Sequence, residues 1–189
     1  LAPTWEALAN DFALEPSVII AKVDATAENA KATAQDQGVE SYPTIKYFPR
    51  GSTTPVEYEG GRSEEDFISF LNAKLGTHRV VGGALDATAG TVPSLDAIIE
   101  KYTAGGNLVN ISKEAADAAK GLEDKYSHYY LKVLEKLAKS QGYAEKELGR
   151  LQNLLKKGGL APEKVDDLVS RSNILRKFAE RKETIKEEL

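Results

Sequence analysis

Sulfur is absent from this chain, whose 189 residues include neither cysteine nor methionine. Without a thiolate there is no thiol–disulfide exchange, because that reaction begins with a thiolate attacking a disulfide sulfur. Thiolate-ligated zinc is excluded for the same reason. Histidine is nearly as scarce: His78 and His128 are too few and too far apart in sequence to suggest a metal site. No apolar run is long enough to cross a bilayer, so no membrane insertion is expected. There is no glycine-rich phosphate loop and no serine nucleophile elbow, and no cofactor is expected. The net charge of −4 argues against a nucleic-acid partner. No signal peptide is visible, and the chain reads as a fragment or processed product.

What is present divides in two. Apolar residues make up 41% of the chain, enough for a core. Residues 1–110 carry a net charge of −7 and residues 111–189 a net +3, a change of sign that supports two domains. Between Gly76 and Val92, glycines and small residues replace any periodic pattern and mark a linker. Ahead of it, a helix from Pro3 to Leu14 is followed by Val18–Thr26, a short apolar strand interrupted by Lys22. Glu28 to Gln37 reads as a helix closed by Gly38. Thr44 opens a second strand, and Val56 to Tyr58 a third. Ser63-Glu64-Glu65-Asp66 then resembles a capping box leading into Phe67, Phe70 and Leu71 at helical spacing.

The most telling stretch is Ser41-Tyr42-Pro43-Thr44, leading into Ile45-Lys46-Tyr47-Phe48. Proline is tolerated in strands only at the first residue, an edge or a bulge. A cis Tyr42–Pro43 bond would turn the backbone sharply and free the Tyr42 peptide groups to face a bound partner. An ordinary trans proline opening an edge strand is the alternative.

After the linker every pattern is helical. Leu95, Ile98, Ile99 and Tyr102 mark one helix, and Ser112 to about Tyr126 a second, broken or bent near Gly121. Tyr130, Leu134, Leu137 and Ala138 mark a third, and Leu148, Leu151, Leu154 and Leu155 a fourth. Pro162 starts a fifth, and a last segment carries Leu175 and Phe178 into a charged tail. Glycine stops between amphipathic helices predict a compact antiparallel bundle. Tyr126, Tyr129 and Tyr130 cluster with His128 at one junction, as bundle core or as a binding surface.

Leu1-Ala2-Pro3, Ala21–Thr26, Gly38–Lys46 and Tyr58-Glu59-Gly60-Gly61-Arg62, in that order, resemble the back half of a thioredoxin domain of the protein disulfide isomerase kind. The helical part, through Tyr143–Leu148 and Leu160–Lys164, resembles the C-terminal D domain of endoplasmic-reticulum isomerases and redox-inactive escort proteins. The resemblance implies an α/β thioredoxin-like fold lacking its front half (1–75), a linker (76–92) and an all-α bundle (93–185). It also implies that the redox C-x-x-C lies just ahead of Leu1. The family's strand leading into that motif runs between the strands that here begin at Val18 and Thr44. Without it two edges stand unpaired. Residues 1–75 are therefore expected to complete a native sheet only if another chain supplies that segment.

The same resemblance implies roles. Tyr42 and Pro43 would offer backbone groups to a substrate peptide. Lys22 would pair with a glutamate on the missing strand, and lacking it should reach solvent or find another acid. Arg62 would swing toward the cysteines and tune their pKa; a plain surface arginine is the alternative. Lys186-Glu187-Glu188-Leu189 differs from the K-D-E-L retrieval signal by one carboxylate-conserving change and points to the endoplasmic-reticulum lumen and a retrieval receptor. Three functions compete: a piece of a disulfide isomerase acting on unfolded or cysteine-bearing secretory proteins, a redox-silent client-binding chaperone, and a spacer or homodimerising helical module.

Overall fold

The computed structural model describes residues 1–179, which fall into two compact units, the first ending at Gly83 and the second beginning at Ala84. The retrieval-like tail Lys186–Leu189 lies outside the described residues.

The first unit contains α1 (Ala2–Asp11), a 3₁₀ turn (Glu28–Ala30) running into α2 (Lys31–Asp36), β1 (Lys46–Tyr47), β2 (Val56–Glu57) and α3 (Glu64–Leu75). Pro3 sits in the first turn of α1, where its missing N–H costs nothing. The capping box expected at Ser63 forms in full: the Ser63 hydroxyl accepts from the Asp66 N–H, and the Asp66 carboxylate accepts from the Ser63 N–H. With its start fixed, α3 turns Phe67, Ile68 and Leu71 onto Leu8 and Phe12 of the α1 region to make the unit's core. Trp5 meets Phe67 edge-to-face and Tyr58 meets it at a tilt, with ring centroids 5.4 and 5.1 Å away. The Gly60–Gly61 bend has a steric cause. A Cβ on Gly61 would lie 2.1 Å from the Asp66 carboxylate that caps α3.

The sheet departs from expectation. β1 and β2 pair antiparallel, Lys46 opposite Glu57 and Tyr47 opposite Val56, and this is the whole sheet among the described residues. Val18–Thr26, expected as a strand, joins no ladder. Its conformation keeps a strand's alternation, however: Val18 and Ile20 pack on the α1–α3 core while Ile19 is 88% exposed. An extended segment becomes a strand only with a hydrogen-bonded neighbour, and none lies beside it. The two segments therefore do not close on each other.

The second unit is all helix: α4 (Pro93–Thr103), α5 (Leu108–Ala119), α6 (Ser127–Lys139), α7 (Tyr143–Lys157) and α8 (Pro162–Ala179). Two expectations are corrected. The second helix starts earlier, at Leu108, and of the two readings at Gly121 the structure takes the break: α5 stops at Ala119 and residues 120–126 lie outside any helix. Leu175 and Phe178 belong to α8, because nothing between Pro162 and Ala179 breaks the helix. The core gathers Leu95, Ile99, Tyr130, Val133, Leu134, Leu151, Ile174 and Leu175, each essentially fully buried. The tyrosine cluster is mostly core: Tyr129 and Tyr130 are buried, Tyr126 is half-buried and His128 is exposed.

The segment ahead of α4, expected to be linker, is docked rather than loose. Asn173 of α8 donates to the carbonyls of Asp86 and Ala89 at 2.9 and 3.0 Å. Gly90 has φ +76° and approaches Ser170 so closely that a Cβ there would lie 2.5 Å from the serine Cβ. Tyr130 finishes the attachment: its hydroxyl accepts from the Val92 N–H at 2.9 Å and donates to Asp96.

Candidate functional site: an open groove behind a cis-proline loop

The unpaired edges of the first unit face one groove of about 1240 Å³. Its rims are Val18–Thr26 and Thr44–Phe48; Trp5, Leu8, Phe67 and Phe70 line it from α1 and α3, and Thr33, Ala34 and Gln37 from α2. The volume exceeds the roughly 300–1,000 Å³ usual for small-molecule pockets and suits a stretch of polypeptide.

Each rim is held by side chains. The Trp5 indole N–H donates to the Ala21 carbonyl at 3.0 Å, tying the extended segment to α1. Lys22 is 71% exposed and pairs with Glu6 at 3.1 Å, so it has both reached solvent and found an acid. Thr26 closes the end of the segment, donating its N–H and hydroxyl to the Asp24 carboxylate at 3.0 and 2.6 Å. These bonds hold the Asp24 carboxyl below the ordinary aspartate value. On the opposite rim, Lys46 reaches the carbonyl of Gln37 at the end of α2 and lies 3.5 Å from Glu57.

The Tyr42–Pro43 peptide bond is cis, and both residues line the groove. The Thr44 hydroxyl donates to the Ser41 carbonyl at 2.7 Å, closing the loop around it. Tyr42 is 67% exposed. The structure thus brings Tyr42, Pro43 and Lys22 to one groove, while Arg62 is exposed on the bend after Gly61 and does not line it. Sequence reasoning missed Trp5 and Lys46. The single tryptophan, one helical turn from Leu8, was the available signal for the first; Lys46 in an aromatic run was the signal for the second.

There is no cysteine, and no cluster of three or more potential metal ligands occurs among the described residues. What the groove offers is apolar surface, aromatic rings and backbone edge.

The helical unit has a polar seam of its own. Arg171 lies 5.2 Å over the Tyr129 ring, and Arg150 pairs with Glu147. Burial, then the neighbouring Tyr143 and Glu147, pushes the Tyr129 hydroxyl well above the ordinary tyrosine value. Burial and the bond to Asp96 do the same to Tyr130.

Among the described residues, a thioredoxin-type α/β unit with a cis-proline loop followed by a bundle of five helices is the class this architecture defines. Residues 1–73 match the thioredoxin family, and residues 90–178 match the C-terminal domain of endoplasmic reticulum protein ERp29. The chain is 61% identical to protein disulfide-isomerase tigA of Aspergillus niger over 189 residues, all of this chain and 52% of that protein. It is 56% identical over 194 aligned residues to protein disulfide-isomerase erp38 of Neurospora crassa, covering 53% of it. Against protein disulfide isomerase-like 2-2 of rice it is 36% identical, with 95% of this chain and 49% of that protein covered. The chain belongs to the protein disulfide-isomerase family, in the form that joins a thioredoxin domain to an ERp29-type helical domain. It spans about half the length of these relatives. No solved structure matches it.

Proposed function

We propose that this chain is the substrate-holding part of a protein disulfide isomerase, gripping unfolded or cysteine-bearing secretory polypeptides while sulfur chemistry is supplied from elsewhere in the parent. The observation that carries the reading is the exposed cis Tyr42–Pro43 loop at the mouth of a polypeptide-sized apolar groove. Backbone groups at such a turn meet an extended chain, and an exposed tyrosine adds apolar area with a polar tip. Names of the relatives, each a disulfide isomerase, support the same reading. The working compartment is the endoplasmic-reticulum lumen. Lys186–Leu189 supports it as a retrieval signal, as does the description of the family matched by the helical domain.

A second reading, a redox-silent escort, is favoured by the absence of any thiol. A C-x-x-C encoded immediately before Leu1 separates the two.

Titrating the 189-residue chain with a fluorescent, carboxymethylated and permanently unfolded protein tests the shared element. Saturable binding is expected, weakened about fivefold or more by Tyr42→Ala. Absence of binding, or indifference to Tyr42→Ala, overturns the assignment of the loop. Insulin reduction by the chain should be nil, since no attacking thiolate exists.

A further inference from the structure

α5 carries a triplet that neither its packing nor its capping accounts for. Asn110-Ile111-Ser112 is the one Asn-x-Ser/Thr sequence in the chain, and its middle residue is not proline. Asparagine is a modest helix former, better suited to caps than to the helix itself. Here the cap is Asn107, whose side chain accepts from the Val109 and Asn110 N–H groups at 3.0 and 3.2 Å. Asn110 is the residue after Val109, exposed, and its carboxamide has no hydrogen-bond partner among the described residues. It stands on the outer stripe of α5 with Lys113, Glu114 and Asp117, while Ile111, Ala115 and Ala119 face the core. Beside it Val109 is 74% exposed, the only large apolar side chain of residues 84–179 left so far in solvent.

We infer that Asn110 is an N-glycosylation site, its side-chain nitrogen taking an oligosaccharide before α5 folds. This rests on the endoplasmic-reticulum reading, since that lumen supplies transferase and donor. The donor is an oligosaccharide linked to a lipid pyrophosphate. Nδ2 of Asn110 attacks the anomeric carbon, the bond from that carbon to the pyrophosphate oxygen breaks, and Nδ2 gives up one proton. The lipid pyrophosphate leaves with the bonding electron pair. Ser112 supplies the hydroxyl that the transferase recognises two residues after the acceptor.

The order of events follows from geometry. In an extended chain residues i and i+2 share a face, so Asn110 and Ser112 present amide and hydroxyl to one enzyme surface. In a helix residues two apart do not face each other. The residue between them is also committed: Ile111 is 5% exposed, belongs to the bundle core and donates its N–H to the Asn107 carbonyl at 3.0 Å. Transfer therefore precedes the docking of α5. Folding then leaves the glycan on the solvent side next to Val109, and the Asn110 carboxamide has no folded-state hydrogen bond to lose by it.

The test uses the full-length parent protein made in its own cells. The tryptic peptide Tyr102–Lys113 holds Asn107 and Asn110 and no other asparagine. Deglycosylation with peptide N-glycosidase in heavy-oxygen water should convert Asn110, and not Asn107, to labelled aspartate in most molecules. Asn110→Gln and Ser112→Ala should each abolish the label, Ser112→Thr should keep it, and helical content should stay the same in all three. Ala138→Asn places a second Asn-x-Ser triplet at the exposed end of α6 and reports lumenal entry independently.

A modified reporter beside an unmodified Tyr102–Lys113 peptide overturns the site and leaves the compartment standing. If neither is modified, the compartment reading fails and takes the site with it. Label that survives Ser112→Ala also overturns the assignment. The folded 189-residue chain, given purified transferase and donor that fully use an unstructured Asn-x-Ser peptide, should accept no sugar; transfer to it would overturn the order.

Discussion

The two units differ in how far their cores are closed by their own residues. Among the described residues of the helical unit seventeen buried side chains form one cluster, drawn from α4 through α8 and the docked segment before them. In the thioredoxin-like unit the corresponding cluster has five, all from the α1 region and α3, with Val18, Ile20, Ile45 and Tyr58 only partly covered on its flank. Helices satisfy their backbone within themselves and need neighbours only for a stripe of side chains. Strands need neighbours for the backbone as well, and the extended Val18–Thr26 segment has none among the described residues. Among the described residues the same chain shows both results, a bundle packed around one large core and a two-stranded sheet beside an extended, unpaired segment.

Core truncation gives the largest expected difference between the units. Leu134→Ala, in the middle of the bundle, should destabilise the second unit by about 2–5 kcal/mol. Leu8→Ala, equally buried but lining the groove, should fall at or below the bottom of that range, near 2 kcal/mol, because its surroundings open onto solvent and can collapse. Denaturant-dependent hydrogen exchange, read separately over residues 1–83 and 84–179, measures each. A larger cost for Leu8→Ala would mean the first core is as tightly closed as the second.

Next comes the docked segment. Gly90→Ala imposes a side chain at φ +76° and drives a Cβ toward Ser170, for an expected loss of about 1–3 kcal/mol in the helical unit. Ser170→Gly in the same chain should recover the contact part but not the backbone part. Thermal melts of the single and double variants separate the two, and full recovery would show that φ contributes nothing.

Tyr130→Phe tests the same attachment more gently. The Val92 N–H loses its acceptor and Asp96 its donor, a change of about 1–3 kcal/mol. The hydroxyl also predicts a pH dependence. Burial raises the folded pKa of Tyr130 and of Tyr129 above the unfolded value, so their contribution is complete below the ordinary tyrosine range. It is lost as pH climbs from there toward the raised folded values, because the unfolded chain ionises first. The wild-type helical unit should therefore lose stability above about pH 10, and Tyr130→Phe should flatten that decline. Circular dichroism melts between neutral and alkaline pH check the slope.

Legibility followed the same division. Leu95, Ile98 and Ile99 at helical spacing, Pro162 at a first turn and the Ser63–Asp66 box were readable because their determinants lie within one or two turns of chain. The proline loop was readable because Tyr42-Pro43-Thr44 opens an aromatic, β-branched run. Val18–Thr26 was readable as a short apolar extended run with an unpaired edge, and it joins no ladder because pairing is a property of a neighbour the segment does not contain. Arg62 stands apart for a related reason, since its placement depends on a bend set by Tyr58 and Asp66 rather than on its own surroundings. The turn around Gly121 and the continuity of α8 were boundary questions, settled by packing rather than by periodicity.

The smallest effect concerns the one element of the open unit that is as locally specified as anything in the bundle. Ser63 donates its hydroxyl to Asp66 at 2.7 Å, and with the Ser63 N–H this holds the Asp66 carboxyl below the ordinary aspartate value. A lowered folded pKa means that the contribution is present above the unfolded value and fades as pH falls through the folded one. Ser63→Ala should therefore raise the Asp66 pKa toward the ordinary value and fray the first turn of α3 slightly, with exchange at Glu64–Phe67 accelerated and the helical unit untouched. Two-dimensional NMR titration of Asp66 reads both. An unchanged Asp66 pKa would remove the box as the cause, and α3 would then owe its start to the packing of Phe67 on Trp5 and Leu8 alone.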